Sequence, residues 1–151
     1  METASLESVY ERILDLAAAG PFAEPAEGGW PAELVLAHLT VNDDALIEAL
    51  RAVLSNKPTH HYDNEAAVDE DNLRGQGTLP ELIDKLRTSS RQLCDLAGQL
   101  GQLEDTPVVV RIKDDDQIVI DGETWPIGRL LHVHAEMHLP SHLSQLEGLH
   151  S

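Results

Sequence analysis

Apolar residues recur at helical spacing in four long stretches of the chain, which predicts four long helices. The first stretch covers residues 3–19 and stops at a Gly-Pro pair. The second covers residues 30–56 and opens with Trp-Pro, since proline suits the first turn of a helix. In residues 78–103 leucines follow the 3-4 alternation of a helix-bundle seam. The last predicted helix opens with Thr-Trp-Pro and covers residues 124–149.

Two β-branched runs interrupt this helical pattern before the last helix. PVVVRIK and QIVIDGE flank an acidic turn within residues 107–123, an arrangement typical of a hairpin. Residues 57–78 are polar and irregular, with a short helix predicted in NEAAVDEDNL. The expected fold is therefore all-α: a four-helix bundle with a small β-hairpin between the third and fourth long helices. The whole chain, residues 1–151, is expected to form this single domain.

Composition narrows the classes of function. The chain has 10 Lys and Arg but 27 Asp and Glu, which gives a formal net charge of −17. This charge argues against binding nucleic acid or an anionic membrane. No stretch reaches the roughly 20 apolar residues of a membrane span. The lone cysteine, Cys94, cannot form an internal disulfide, and we interpret it as a small apolar filler of a helix. These features predict a cytoplasmic protein.

Histidines carry the candidate chemistry. His134, His138 and His142 lie four residues apart on the inward face of the last helix, and two imidazoles at that spacing can share a metal ion. His134 and His142 are about 12 Å apart along the axis, so one helix rarely supplies all three ligands. His38, on the inward face of the second helix, is the histidine available to complete a site with His138 and His142. The alternative is an ordinary core histidine that a carbonyl or carboxylate satisfies.

The same residues resemble the DinB/YfiT-like superfamily of four-helix bundles, which includes the N-terminal domain of mycothiol-dependent maleylpyruvate isomerase. Trp30 precedes His38 in WPAELVLAHL, similar to the family's W-x7-H-L, and HLPSHLSQL is similar to its H-x3-H-x2-Q-[LI]. The resemblance implies a metal triad of His38, His138 and His142. His134 then has no counterpart: it could hydrogen-bond a ligand, replace one, or be a plain core histidine, which we favour.

Pro140 departs from that pattern. Lying between His138 and His142, it removes the backbone hydrogen bond to the carbonyl of Glu136 and biases Leu139 away from helical dihedrals. Either the site tolerates the bend, or His142 swings away and His134 and His138 become the true pair.

Other polar residues suggest less. Asn42 and Asp43 follow His38 by about one turn and could orient a ligand, although we interpret them as ordinary helix residues. The loop His60-His61-Tyr62 could cap the site. The sequence indicates no catalytic or cofactor-binding side chain beyond the metal ligands.

Three neutral imidazoles leave open positions on a divalent ion, which is the pattern of a catalytic site. Zinc is expected first, with nickel, iron or copper also compatible. The resemblance implies that the ion activates a small thiol, of the mycothiol or bacillithiol type, as a thiolate for S-transfer or isomerisation. A hydrolase using bound hydroxide, a non-catalytic stress-related metal-binding bundle, and a metal-free binding module remain alternatives. The expected partner is a small molecule, and the hairpin suggests a homodimer.

Overall fold

The computed structural model describes residues 1–114 and 116–150. Helices dominate it, and each predicted long helix is present with slightly shifted ends. The helices, in chain order, are α1 (Ala4–Ala19), α2 (Ala32–Leu54), α3 (Glu65–Val68), α4 (Glu70–Arg74), α5 (Leu79–Gly98), α6 (Ile127–Val133) and α7 (Leu139–Leu149). A π-helical turn, His134–His138, joins α6 to α7, so the predicted last helix is one long segment with a wide turn inside it.

The third predicted helix is shorter than its leucine pattern indicates. α5 ends at Gly98, and a 3₁₀ helix, Gly101–Asp105, follows it. Leu103, the last leucine of the predicted seam, is 40% exposed because it lies beyond the end of α5. The short helix predicted before α5 is also present, divided into α3 and α4 at Asp69, whose carboxylate caps the start of α4.

A three-stranded sheet corrects the predicted all-α class. Its strands are β1 (His61–Asp63), β2 (Pro107–Asp114) and β3 (Gln117–Pro126). The predicted hairpin is β2 and β3, which pair antiparallel, while β1 pairs parallel with β2 to give a mixed sheet. β1 is three residues long with one buried side chain, Tyr62, so its sequence has too little alternation to predict a strand.

The hairpin also runs further than predicted. Val108 pairs with Trp125, so the Thr-Trp-Pro segment expected to open the last helix instead completes β3. The helix starts only at Ile127. Asp115, in the predicted acidic turn, and Ser151 lie outside the described residues.

The core is centred on α2, which packs against α5, α7, the short helices and β1. Its leucines Leu36, Leu39, Leu46 and Leu50 are at most 1% exposed, and burying each such side chain contributes about 1.5–3 kcal/mol. α2 therefore contacts neighbouring elements on most sides, and its buried polar side chains, His38, Thr40, Asn42 and Asp43, lie within the core. No helix within the described residues is long and apolar enough to cross a membrane.

Candidate metal centre

The three predicted ligands come together where the second turn of α2, carrying His38, meets His138 at the end of the π-helical turn and His142 in the first turn of α7. Nε2 of His138 lies 2.9 Å from Nε2 of His38 and 3.1 Å from Nε2 of His142. One ring nitrogen from each of the three residues lies within 4.8 Å of the other two. His38 is 5% exposed, while His138 and His142 are half-buried. The cluster thus has a closed side at α2 and a side that a small molecule can approach.

Pro140 is accommodated by the π-helical turn. The N–H of Leu139 donates to the carbonyl of His134, five residues earlier, where an α-helix would use the residue four earlier. The wider turn places His134 above His138, with 2.9 Å between their Nδ1 atoms. His142 stays beside His138, so the predicted alternative, in which it swings away, does not occur.

Hydrogen bonds fix the protonated nitrogen of two rings. Nδ1–H of His38 donates to the carbonyl of Ala67 at 2.6 Å, and Nδ1–H of His142 donates to Oε1 of Gln145 at 2.9 Å. Because each neutral imidazole has a single N–H, Nε2 of both residues presents a lone pair to the cluster. In known metal sites, a hydrogen bond from the ring nitrogen that does not bind the metal orients the histidine in the same way.

His134 belongs to a buried polar chain rather than to the ordinary core that we favoured from the sequence. It is 3% exposed, and its Nε2 lies 2.7 Å from the hydroxyl of Tyr10. Tyr10 donates that hydroxyl hydrogen to Oδ1 of Asp43. Ser89, on α5, donates to the other carboxylate oxygen at 2.6 Å. We call His134, Tyr10 and Asp43 the buried relay.

Asp43 is a residue whose role the sequence interpretation missed. It is fully buried, at 0% exposure, and is the one buried carboxylate in residues 1–114 and 116–150. A usable signal existed: Leu36, Leu39, Asp43, Leu46 and Leu50 are spaced by three and four residues. Asp43 therefore sits within a leucine stripe, where a charged residue requires partners.

Burial keeps the imidazoles of the cluster neutral. It lowers the pKa of His38 to about 4, with a further contribution from nearby His142. Burial also lowers the pKa of His134 to about 3, and that of His142 below its ordinary value. The pKa of His138 is depressed furthest, first by burial and then by the three neighbouring histidines.

These residues fit a divalent metal ion. Lone pairs that approach to 2.9 and 3.1 Å repel each other unless a cation or a proton lies between them. For Zn–N bonds of about 2.0–2.1 Å, a tetrahedral site has nitrogens about 3.3 Å apart, and the two separations from His138 lie within a few tenths of an ångström of that value. Imidazole donors suit zinc, nickel, iron and copper alike, so the ligand set does not determine which of these ions binds.

A small cavity borders the cluster. It has a volume of about 190 Å³, is lined mainly by apolar side chains such as Ile112, Trp125 and Leu130, and reaches His138. The segment predicted as a capping loop contributes through Tyr62, whose hydroxyl donates to Oδ1 of Asn42. The other two residues of that segment lie elsewhere: His61 is exposed, and Nδ1 of His60 lies 3.1 Å from the carbonyl of Pro107.

Cys94 is the remaining nucleophile considered from the sequence. It is buried, and that burial raises the pKa of its thiol to about 12. The thiol therefore stays protonated at neutral pH, which agrees with a packing role.

Comparisons of the chain with models of known families, with curated proteins and with solved structures gave no match. Membership of the DinB/YfiT-like superfamily accordingly stays a prediction. What the structure supports directly is a mostly helical protein with a cluster of three histidines that could hold a metal ion.

Proposed function

We propose that the protein is a metal-dependent enzyme in which His38, His138 and His142 hold a divalent ion, and that its activity is transfer or isomerisation through a small thiol. The observation that carries the proposal is the convergence of three Nε2 lone pairs beside a cavity. An ion held there by His38, His138 and His142 would act as a Lewis acid and would lower the pKa of a bound thiol.

The protein side chains give such an ion a defined setting. Ala67 and Gln145 fix the rings of His38 and His142 with Nε2 inward, so little reorganisation is needed on binding. All three ligands are neutral and leave the charge of a divalent ion uncompensated by its immediate ligands. This favours activation of a substrate over a purely structural role, for which thiolate-rich closed sites are typical.

The cavity favours a thiol over water as the nucleophile. Among the described residues lining it there is no carboxylate, and burial raises the pKa of Tyr62 well above its ordinary value. The lining histidine His134 has both ring nitrogens engaged, by Tyr10 and by His138, so no free side chain there is suited to act as a general base at neutral pH. A thiol has a pKa of about 8.5 and requires only a modest decrease to ionise, whereas water requires a decrease of many units. The apolar walls suit the carbon skeleton of a small thiol or of its electrophile.

The test is spectroscopic and uses the metal-free protein reconstituted with Co²⁺. Addition of 2-mercaptoethanol or cysteine should produce a sulfur-to-cobalt charge-transfer band in wild type but not in His142→Ala. A visible spectrum that responds to pH but not to thiols would favour the hydrolase alternative. A spectrum that responds to neither would indicate a non-catalytic metal site and refute the proposal.

A further inference from the structure

The buried carboxylate of Asp43 lacks a conventional partner. An anion removed from water costs several kcal/mol unless a positive charge compensates it. Within the described part of the chain, the ion-pair contact of Asp43 is with His134, whose Nε2 lies 3.8 Å from Oδ1. That contact is not a direct hydrogen bond, because the hydroxyl of Tyr10 bonds both groups and lies 2.7 Å from Nε2 of His134. Within the described residues no lysine or arginine forms an ion pair with Asp43, so a cation bound nearby would balance the charge of its ionised form.

The hydrogen bonds of the buried relay have one consistent direction. An ionised Asp43 can only accept, so Tyr10 donates its hydroxyl hydrogen to Oδ1. The hydroxyl oxygen of Tyr10 then accepts from Nε2–H of His134 at 2.7 Å. A neutral His134 with its proton on Nε2 has a bare Nδ1, which can only accept from Nδ1–H of His138 at 2.9 Å.

This direction determines what His138 presents to the cluster. With its proton on Nδ1, His138 carries a lone pair on Nε2, the atom facing His38 and His142. The hydrogen-bond directions that start at Asp43 and continue through Tyr10 and His134 therefore determine which ring nitrogen of His138 carries the proton. In known sites, an acceptor behind a ligating histidine raises the basicity of the ring and fixes its orientation.

We propose that Asp43 is a positioning residue of the metal centre: through Tyr10 and His134 it fixes the tautomer of His138 and supplies the negative charge that balances a bound divalent cation. This inference rests on the proposed metal site and deepens it. The cation and the carboxylate stabilise each other across the buried relay, because their attraction acts through a core of low dielectric constant. Removing the charge of Asp43, or the hydroxyl of Tyr10 that connects it to His134, therefore weakens metal binding without removing a ligand.

Metal affinity of the full-length protein tests this, with Zn²⁺ as the probe and competition by a chromophoric chelator as the measurement. Asp43→Asn keeps the shape and removes the charge, and Tyr10→Phe keeps the ring and breaks the link. Each should weaken Zn²⁺ binding by about 10–100-fold, the usual effect of removing such a partner. Ser90→Ala is the matched control, since it also removes a buried hydroxyl, one that donates to the backbone carbonyl of Arg87 on the same helix, and it should leave the affinity within about twofold.

A second measurement uses the unaltered protein and so does not depend on how the variants fold. Histidine side-chain ¹H–¹⁵N spectra of the Zn²⁺-loaded wild type should place the ring proton of His138 on Nδ1 and that of His134 on Nε2. A proton on Nδ1 of His134 would overturn the inference, as would a folded Asp43→Asn or Tyr10→Phe protein that binds Zn²⁺ as tightly as the control. If wild type itself binds no Zn²⁺, the proposed metal site fails, and the inference fails with it.

Discussion

Replacing Asp43 by asparagine in the metal-free protein should change how folding stability depends on pH. Burial raises the pKa of this carboxyl from 3.8 to about 7, although its bonds from Ser89 and Tyr10 lower it in part. The native state therefore binds the proton more tightly than the unfolded chain does. The stabilisation is complete below pH 3.8 and is lost as the pH rises through about 7.

The size of the effect follows from the two pKa values. Between pH 5 and pH 8 the native carboxyl loses its proton, while the unfolded one is already ionised at both. Over about two pH units the native carboxyl holds a proton that the unfolded carboxyl does not. This difference in proton binding changes the free energy of unfolding by about 3 kcal/mol. The histidines are the same in both proteins, so their own pH dependence cancels in the comparison. Asp43→Asn should thus gain about 3 kcal/mol relative to wild type between pH 5 and pH 8.

Urea unfolding followed by circular dichroism, with EDTA present, measures this difference at each pH. The same chemical change at an exposed position of α1, Asp15→Asn, controls for the loss of a surface charge. If the stabilities of Asp43→Asn and wild type stay parallel from pH 5 to pH 8, the carboxyl is not held in the desolvated environment described here. In that case the interpretation of Asp43 as a charge that needs a cation would be wrong.

Two further predictions concern the histidines. Elemental analysis of purified protein should show that His38→Ala and His142→Ala lose stoichiometric metal, whereas His134→Ala keeps it at lower affinity; loss only in His134→Ala would reverse the assignment. Because burial lowers the pKa of His38 to about 4, its ring should be neutral in the metal-free protein at pH 5.5. Side-chain ¹⁵N chemical shifts measure this, and a protonated ring would contradict the buried geometry.

The sequence predicted the helices and the hairpin because their signals are periodic over many residues. Leucines at 3-4 spacing in α5 and β-branched runs in β2 and β3 each repeat several times. β1 has no such repetition, since three residues with one buried tyrosine form a strand only because β2 lies beside them. The mixed sheet is a tertiary effect, and the local sequence does not encode it.

Of the candidate site, only the three clustered histidines were predictable from the sequence. His38, His138 and His142 stand out as inward histidines, and the structure brings them together. The buried relay joins residues 10, 43 and 134, which are far apart in the chain, and no spacing rule connects them. The π-helical turn was also beyond the sequence, because a proline inside a helix permits a kink, a break or a wide turn, and packing selects among them.

The hydrogen bonds of His134 favour one of the roles left open for it, that of a partner that hydrogen-bonds His138. Its Nδ1 faces the edge of His138 opposite to Nε2, the edge that points to His38 and His142. To reach the Nε2 side of His138 as a ligand, the ring of His134 would have to move away from the hydroxyl of Tyr10, which would break a buried hydrogen-bond network that ends at a fully buried carboxylate. An unpaired buried polar group costs about 1–3 kcal/mol, and more where a charge is involved. The three histidines of the last helix therefore have different contacts. His138 directs Nε2 toward His38 and His142 and Nδ1 toward His134, and the wide turn before Pro140 permits both contacts.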